Sequence, residues 1–121
     1  MPVLRKTIGI ALLMAVGTYA TIVQAAPMAS RRFLSENGCF ACHSVNSKKV
    51  GPAFSWIAYH YRGKPQEIPI LARKVITGGK GYWAPWTYGV AMTPHPGLGM
   101  QKAEAMVRWV LARHPVRPPN P

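Results

Sequence analysis

Two cysteines and a histidine stand together at Cys39, Cys42 and His43 in a CxxCH pattern, and the chain has no other cysteine. This pattern is the attachment signature of a c-type haem. Two residues between the thiols let both sulfurs reach the two vinyl groups on one edge of a porphyrin, while the adjacent imidazole turns beneath the iron. We therefore predict one covalent haem c, attached through Cys39 and Cys42, with His43 as an axial ligand of the iron.

Two other uses of these cysteines compete with haem attachment. A thioredoxin-like dithiol opens a helix directly after a strand, whereas residues 29–37 look helical and Gly38 is a typical helix stop. A structural zinc site needs a fourth ligand beside the three side chains of the motif. Only the three other histidines remain to supply it. The sequence therefore favours haem over both.

The first 25 residues differ from the rest of the chain. Two cations lead into an apolar stretch, and small residues stand at the positions that a signal peptidase reads. We predict that residues 1–25 are a secretory signal peptide and that residues 26–121 form one domain in the periplasm. The alternative is a retained membrane anchor, but the apolar stretch falls short of the roughly 20 residues of a spanning helix. The mature protein is therefore not expected to span the membrane.

The charge of the chain is strongly unbalanced. Fifteen Lys and Arg stand against three acidic residues, for a formal net charge of +12. Chemistry that needs paired carboxylates is thus disfavoured, and an exported protein meets no nucleic acid. We expect the charge to steer the protein toward redox proteins with an acidic docking face or toward an anionic membrane surface, although a solvated surface without a preferred patch explains it equally well. The expected contributors are Lys48, Lys49, Arg62, Lys64 and Lys80.

The chain resembles the class I cytochromes c, and within them the small bacterial monohaem members. The resemblance covers the whole predicted mature chain. It rests on the CxxCH run, on VGPAF at 50–54, on GYW at 81–83, on VAMTP at 90–94 and on RWVL at 108–111. It implies an all-α fold of about four short helices around one covalent haem with His and Met axial ligands, serving as a periplasmic electron shuttle. The stretch from Trp83 to Met92 is longer than in the shortest members.

Two residues compete for the iron position opposite His43. Met92 lies in an irregular loop flanked by proline, which can present a thioether rigidly, whereas Met106 falls on the apolar stripe of a helix and Met100 lies where that helix begins. His95 is the alternative, because imidazole binds haem iron more strongly than a thioether and lowers the potential. The resemblance aligns Met92 with the family's ligand, and we expect Met92 in this role.

The resemblance also implies partners for the ligands and for the haem propionates. A ligating histidine usually donates its other ring proton to a carbonyl, and Gly51 and Pro52 match the family's Gly-Pro pair that supplies it. The carbonyl of Pro52 is therefore expected to accept from the axial histidine. Trp83 is expected to bind a propionate because it matches the family's Gly-x-Trp, and Arg73 is suggested only by its charge.

Apolar spacing predicts four helices. They cover residues 29–37, a short segment after Pro52, residues 68–76 closed by a glycine pair, and residues 103–111. Residues 115–121 are predicted to be a loose Pro-rich tail. No alternating run typical of a strand occurs.

Three functions remain open at this point. The first is a monomeric electron carrier without a substrate site, hence not an enzyme. The second is a fixed haem c electron-entry subunit of a dehydrogenase or reductase complex, suggested by aromatic residues beyond what a small core needs: Trp56, Tyr59, Trp86 and Tyr88. The third is a haem enzyme or sensor, which requires an open iron position. His60 and His114 are expected to be solvated surface residues without a role.

Overall fold

The computed structural model describes residue 20 and residues 29–121. This part contains five α-helices and no strand: α1 Arg31–Glu36, α2 Cys39–Cys42, α3 Phe54–Tyr61, α4 Ile68–Thr77 and α5 Met100–Leu111. The all-α prediction is confirmed for these residues. The predicted signal peptide and its cleavage site lie, apart from residue 20, outside the described residues. No helix in the described part has the length and apolar character of a membrane span.

The four predicted helices correspond to α1, α3, α4 and α5, and the CxxCH turn itself forms the short helix α2. Ser30 begins α1 by accepting a hydrogen bond from the backbone of Phe33 at 3.2 Å, which satisfies a donor that the first turn leaves unpaired. Gly38 adopts a left-handed conformation with φ of 76°. This conformation, which glycine adopts without a steric penalty, ends α1 and starts α2 in a new direction. The predicted helix stop at Gly38 is therefore confirmed.

Two small apolar clusters hold the helices together, and α5 contributes to both. Leu34, Phe54 and Met106 join α1, α3 and α5. Ala72, Ala103 and Val107 join α4 to α5. Ala72 and Ala103 are completely buried, so these two helices approach each other closely with little side-chain volume between them. Neither cluster is large, and a cavity lies between the helices.

The Pro-rich tail differs from the loose segment that the sequence predicts. The backbone N–H of Val116 donates to the Ser55 carbonyl at 3.0 Å, and the Trp86 indole N–H donates to the Pro119 carbonyl at 2.7 Å. Prolines cannot continue a helix, but they keep the chain extended and leave their carbonyls free to accept. The composition of the tail thus indicates its irregular backbone and says nothing about what it contacts.

Most of the four aromatic residues that suggested a docking surface are buried or contact other side chains of the same chain. Trp56 is buried, with 8% of its surface exposed, and the Arg62 guanidinium lies 3.7 Å from the centre of the Tyr59 ring. Trp86 is half-buried among other aromatic rings. Tyr88 alone of the four is exposed, to 88%. The surplus therefore gives little support to a permanent docking surface.

Candidate functional site

A cavity of about 680 Å³ opens between the helices. Protein interiors rarely leave voids larger than a water molecule, and this volume falls in the range of about 300–1,000 Å³ typical of ligand sites. Its walls come mainly from α2, α3, α4, α5 and the loops at 50–52, 79–84 and 90–95. The cavity brings together every site residue predicted from the sequence: Cys39, Cys42, His43, Pro52, Trp83 and Met92.

His43 is held in one orientation at the wall of this cavity. Its backbone N–H caps α2 by donating to the Cys39 carbonyl at 3.0 Å, after which the chain becomes extended. Its Nδ1 lies 2.7 Å from the Pro52 carbonyl, so Nδ1 carries the proton in this bond because a carbonyl can only accept. The predicted contact with Pro52 is therefore present. In the neutral ring, Nε2 then keeps a lone pair for a metal ion.

Burial favours the neutral form of the His43 ring, and packing holds the ring in place. Burial lowers the pKa of His43, while the hydrogen bond to Pro52 opposes this effect in part. The neutral imidazole, which is the form that ligates metals, is thus favoured at neutral pH. The Phe54 ring stacks on it at 5.0 Å between centroids. A Cβ at Gly51 would lie 2.5 Å from His43 Cε1, so only glycine lets the backbone pass this close to the ring.

The two cysteines lie at the two ends of α2 and both line the cavity. No disulfide joins them. Burial raises the pKa of Cys39, which is the opposite of the lowered pKa that activates a redox dithiol. Among the described residues, no three His, Cys, Asp or Glu side chains form a group that could hold a metal ion. The raised pKa of Cys39 thus disfavours the dithiol interpretation.

Met92 lies in the loop at 90–95 and lines the same cavity as the cysteines. Its backbone forms an isolated antiparallel bridge with Gly79, in which Gly79 N–H donates to Met92 O at 2.9 Å and Met92 N–H to Gly79 O at 3.1 Å. The side chain is half-buried and lines the cavity. The segment that follows α4 thus anchors the loop at 90–95, which we call the methionine loop, and holds the Met92 thioether at the cavity wall.

Gly78 makes this anchoring possible. Its φ of 66° and ψ of −155° fall in a region that is essentially restricted to glycine. A Cβ there would lie 2.5 Å from the Met92 carbonyl oxygen and 2.7 Å from Pro94 N. The C-terminus of α4 and the methionine loop can therefore approach only because Gly78 has no side chain.

We expect Gly78→Ala to destabilise the protein far more than Gly63→Ala. Gly63 also has a positive φ, of 70°, but nothing lies within 4 Å of its Cβ position. Gly63→Ala should cost about 1 kcal/mol for the left-handed backbone, and Gly78→Ala about 1–3 kcal/mol more because backbone atoms must move. Chemical denaturation of the two variants measures the difference. Equal free energies of unfolding would show that the loop does not depend on this close approach.

His95 shares the cavity wall with Met92. Its backbone N–H lies 3.1 Å from the carbonyls of both Val75 and Ile76, which ties it to the last turn of α4. Met106 also lines the cavity, but only 3% of its surface is exposed and it packs in the core with Leu34 and Phe54. Met100 does not line the cavity. Proximity alone thus leaves Met92 and His95 as the two candidates.

Positive charge is concentrated on one side of the cavity. Arg73, Lys74 and Lys80 line it, and Glu67 is the one acidic residue among its lining residues. The Lys74 ammonium donates to the Lys80 carbonyl. Sequence reasoning missed Lys74, although its spacing from Ile70 and Leu71 places it on the face of α4 that lines the cavity. A cationic edge on an apolar cavity suits a flat apolar ligand that carries carboxylates, as a porphyrin does.

His60 differs from the solvated residue that the sequence predicts. It is half-buried and stacks on the Tyr82 ring at 3.8 Å between centroids, with Trp83 at 5.7 Å. Burial is the main cause that lowers its pKa, repulsion from Lys64 adds to the effect and Glu67 opposes it. His60 therefore belongs to an aromatic group that reaches the cavity through Trp83. Trp83 lines the cavity as the propionate hypothesis requires.

The residues present fit a haem c. The cavity combines two thiols at one edge, an oriented neutral imidazole, a thioether in an anchored loop and a cationic side. No other part of the described chain collects such a set. Each feature is the one that covalent attachment, axial ligation or propionate binding needs.

Comparison with known proteins gives the same result. The family model named cytochrome c matches residues 29–113. Cytochrome c2 of Rhodocyclus tenuis is 37% identical over 75 residues, which are 62% of this chain and 82% of that protein. Cytochrome c-551 of Pseudomonas aeruginosa is 31% identical over 104 residues, 85% of this chain and 95% of the relative. The crystal structure of Nitrosomonas europaea cytochrome c552 superposes with a TM-score of 0.62 at 32% identity, covering 69% of this chain and 99% of that one.

Proposed function

The chain belongs to the cytochrome c family and carries covalently attached haem c, and we propose that it is a one-electron carrier of the periplasm. In this proposal Cys39 and Cys42 hold the haem, and His43 and Met92 are its axial ligands. The observation that carries the proposal is a single cavity that both cysteines, an oriented neutral imidazole and an anchored thioether all line.

When bound, the haem supplies a one-electron iron couple. The Pro52 carbonyl holds the Nδ1 proton of His43, which fixes the ring plane and makes Nε2 a better donor. Met92, held by its bridge to Gly79, offers a soft sulfur ligand that favours the reduced state and raises the potential. The apolar walls would cover the faces of the porphyrin. If His43 and Met92 both hold the iron, the site would leave no open position for a substrate, as a carrier requires and an enzyme or sensor does not allow.

We propose that the haem propionates bind at the cationic edge of the cavity. Trp83 supplies an indole N–H donor, and Lys74 and Arg73 supply positive charge. Lys74 is half-buried whereas Arg73 is exposed, so the ammonium of Lys74 is the better shielded from solvent and the stronger electrostatic partner. The sequence had suggested Trp83 and, among the cations, only Arg73 for this role.

A patch beside the cavity mouth supports transient docking to an acidic redox protein. We call it the rim patch, and it consists of Val50, Tyr88, Val90, Lys48 and Lys80. Val50 and Val90 line the cavity, yet 46% and 52% of their surfaces are exposed. The Lys48 ammonium lies 4.8 Å from the centre of the Tyr88 ring, and the Lys80 ammonium adjoins Gly89. An apolar centre edged by lysines matches a monomer that meets acidic partners briefly.

Reversing one charge of the rim patch tests this proposal. We expect Lys48→Glu to slow oxidation of the reduced protein by hexacyanoferrate(III), an anionic probe, about three- to tenfold at low ionic strength. The matched control Lys102→Glu makes the same charge change at an exposed position of α5 that does not line the cavity. It should change the logarithm of the rate by less than half as much as Lys48→Glu. Stopped-flow kinetics gives both rates.

Added salt provides the second half of this test. At about 1 M salt the screening length falls to about 3 Å, so the wild type and both variants should converge. Equal slowing by Lys48→Glu and Lys102→Glu, or slowing that ignores salt, would contradict electrostatic docking at the rim patch.

A further inference from the structure

The C-terminal tail joins two parts of the fold that are far apart in sequence. Its first anchor is the hydrogen bond from Val116 to the carbonyl of Ser55, a completely buried residue of α3. Its second anchor is the hydrogen bond of 2.7 Å from the Trp86 indole to the Pro119 carbonyl. At the second anchor lies a small cavity of about 210 Å³, and its lining includes Trp56, Trp86, Tyr88 and the end of the tail.

Trp86 stands between the tail and the wall of the large cavity. It does not line that cavity itself, but its ring stacks on Tyr82 at 5.6 Å and meets Trp83 edge-on at 5.3 Å between centroids. Tyr82 and Trp83 both line the cavity. The path from the tail to the haem site therefore consists of one hydrogen bond and one aromatic contact.

Beside its ring contacts with His60 of α3 and the contact of Lys48 with Tyr88, the loop at 81–90 forms few bonds to the rest of the fold. It contains turns and no helix, and Tyr88 has an unusual positive φ of 51°. Its other hydrogen bonds in the described structure join residues within the loop, such as Thr87 to the carbonyls of Ala84 and Val90. The bond between Trp86 and Pro119 is thus the one hydrogen bond that ties residues 81–90 to another element of the described chain.

We propose that the tail at 115–121 is a strap that positions Trp83 at the haem site by holding Trp86 in place. Trp86 is a positioning residue, since it acts on the site through Trp83. The proposal rests on the proposed function only in placing the haem in the cavity that Trp83 lines. The expected consequence is that loss of either end of this hydrogen bond loosens the Trp83 wall and changes the haem potential.

Three variants of the haem-loaded protein test the strap. Trp86→Phe keeps an aromatic ring but removes the N–H donor, removal of residues 119–121 deletes the acceptor while keeping the Val116 anchor, and the third variant combines both changes. Removal of Pro121 alone is the matched control, because it keeps the Pro119 peptide carbonyl. Hydrogen exchange of the indole N–H groups, followed by NMR in the reduced protein, reports on Trp83 in every variant.

We expect indole exchange of Trp83 to accelerate at least tenfold in Trp86→Phe and in the truncated chain, and to stay within twofold of wild type in the control. The midpoint potential should shift with the same sign and size in both variants, by at least a threefold change in the one-electron equilibrium constant, or about 30 mV. The combined variant should show no further change, because both changes break one interaction.

Additive effects in the combined variant would overturn the strap, since they would mean that the tail and Trp86 act separately. Unchanged Trp83 exchange and potential, with only a lower free energy of unfolding, would likewise reduce the tail to a structural contact. If instead no variant contained covalent haem, the proposed function would fail, while indole exchange in the same chains would still report whether the tail holds Trp86.

Discussion

Replacing both Cys39 and Cys42 by alanine is expected to leave a chain without a stable native fold. The two apolar clusters are small, and the cavity between them measures about 680 Å³. Without the haem its apolar walls would face water instead of the porphyrin, and burying one large aliphatic side chain is worth about 1.5–3 kcal/mol. A domain of this size is normally stable by only about 5–15 kcal/mol. The covalent haem therefore has to complete the core.

Circular dichroism and two-dimensional NMR of the double cysteine variant measure this effect. We expect loss of most helical signal and poor dispersion. Ser35→Ala combined with Ser47→Ala is the control, because it removes two side-chain heteroatoms at exposed positions and should keep both the haem and the native spectrum. A haem-free chain with well-dispersed native resonances would contradict the prediction.

Replacing Met92 by alanine is expected to have the second largest effect. The cysteines should still hold the haem, but the thioether would be lost from the iron. Axial ligands tune haem potentials over about 0.8 V, so we expect the midpoint potential to fall by about 100 mV or more. The near-infrared band of sulfur-to-iron charge transfer in the oxidised protein should disappear, and the reduced protein should bind carbon monoxide.

Two control variants separate Met92 from its competitors. Met106→Leu preserves apolar volume in the core and should keep the near-infrared band. His95→Ala removes the other candidate ligand and should keep it as well, because His95 is tied to α4 through its backbone. A band that survives Met92→Ala and vanishes in His95→Ala would assign the second axial position to His95.

Local signals were sufficient to predict the helices and the cysteine motif. Gly38 and Gly78 mark helix ends because their backbone conformations suit glycine, and the apolar spacing of α4 and α5 follows the helical period. The contact between His43 and Pro52 was available only from the family resemblance, since nothing in the local sequence specifies which carbonyl lies 2.7 Å from that ring.

Long-range contacts account for what sequence reasoning missed. Lys74 was overlooked in favour of Arg73, although both line the cavity, because charge alone does not show which of two adjacent cations is the less exposed. His60 was predicted to be a solvated surface residue and Trp86 was interpreted as part of a docking surplus, although their rings lie among Tyr82 and Trp83. The tail was predicted to be loose because prolines report on backbone conformation and carry no information about a partner 33 residues away in sequence.

Fragmentation mass spectrometry of the purified, denatured protein tests the central claim most directly. We predict that the intact chain carries the mass of one haem after washing with acidic acetone, and that only the peptide containing Cys39 and Cys42 bears it. A colourless washed chain with both cysteines unmodified would contradict covalent attachment, and with it the assignment of the cavity, its ligands and the electron-carrier function.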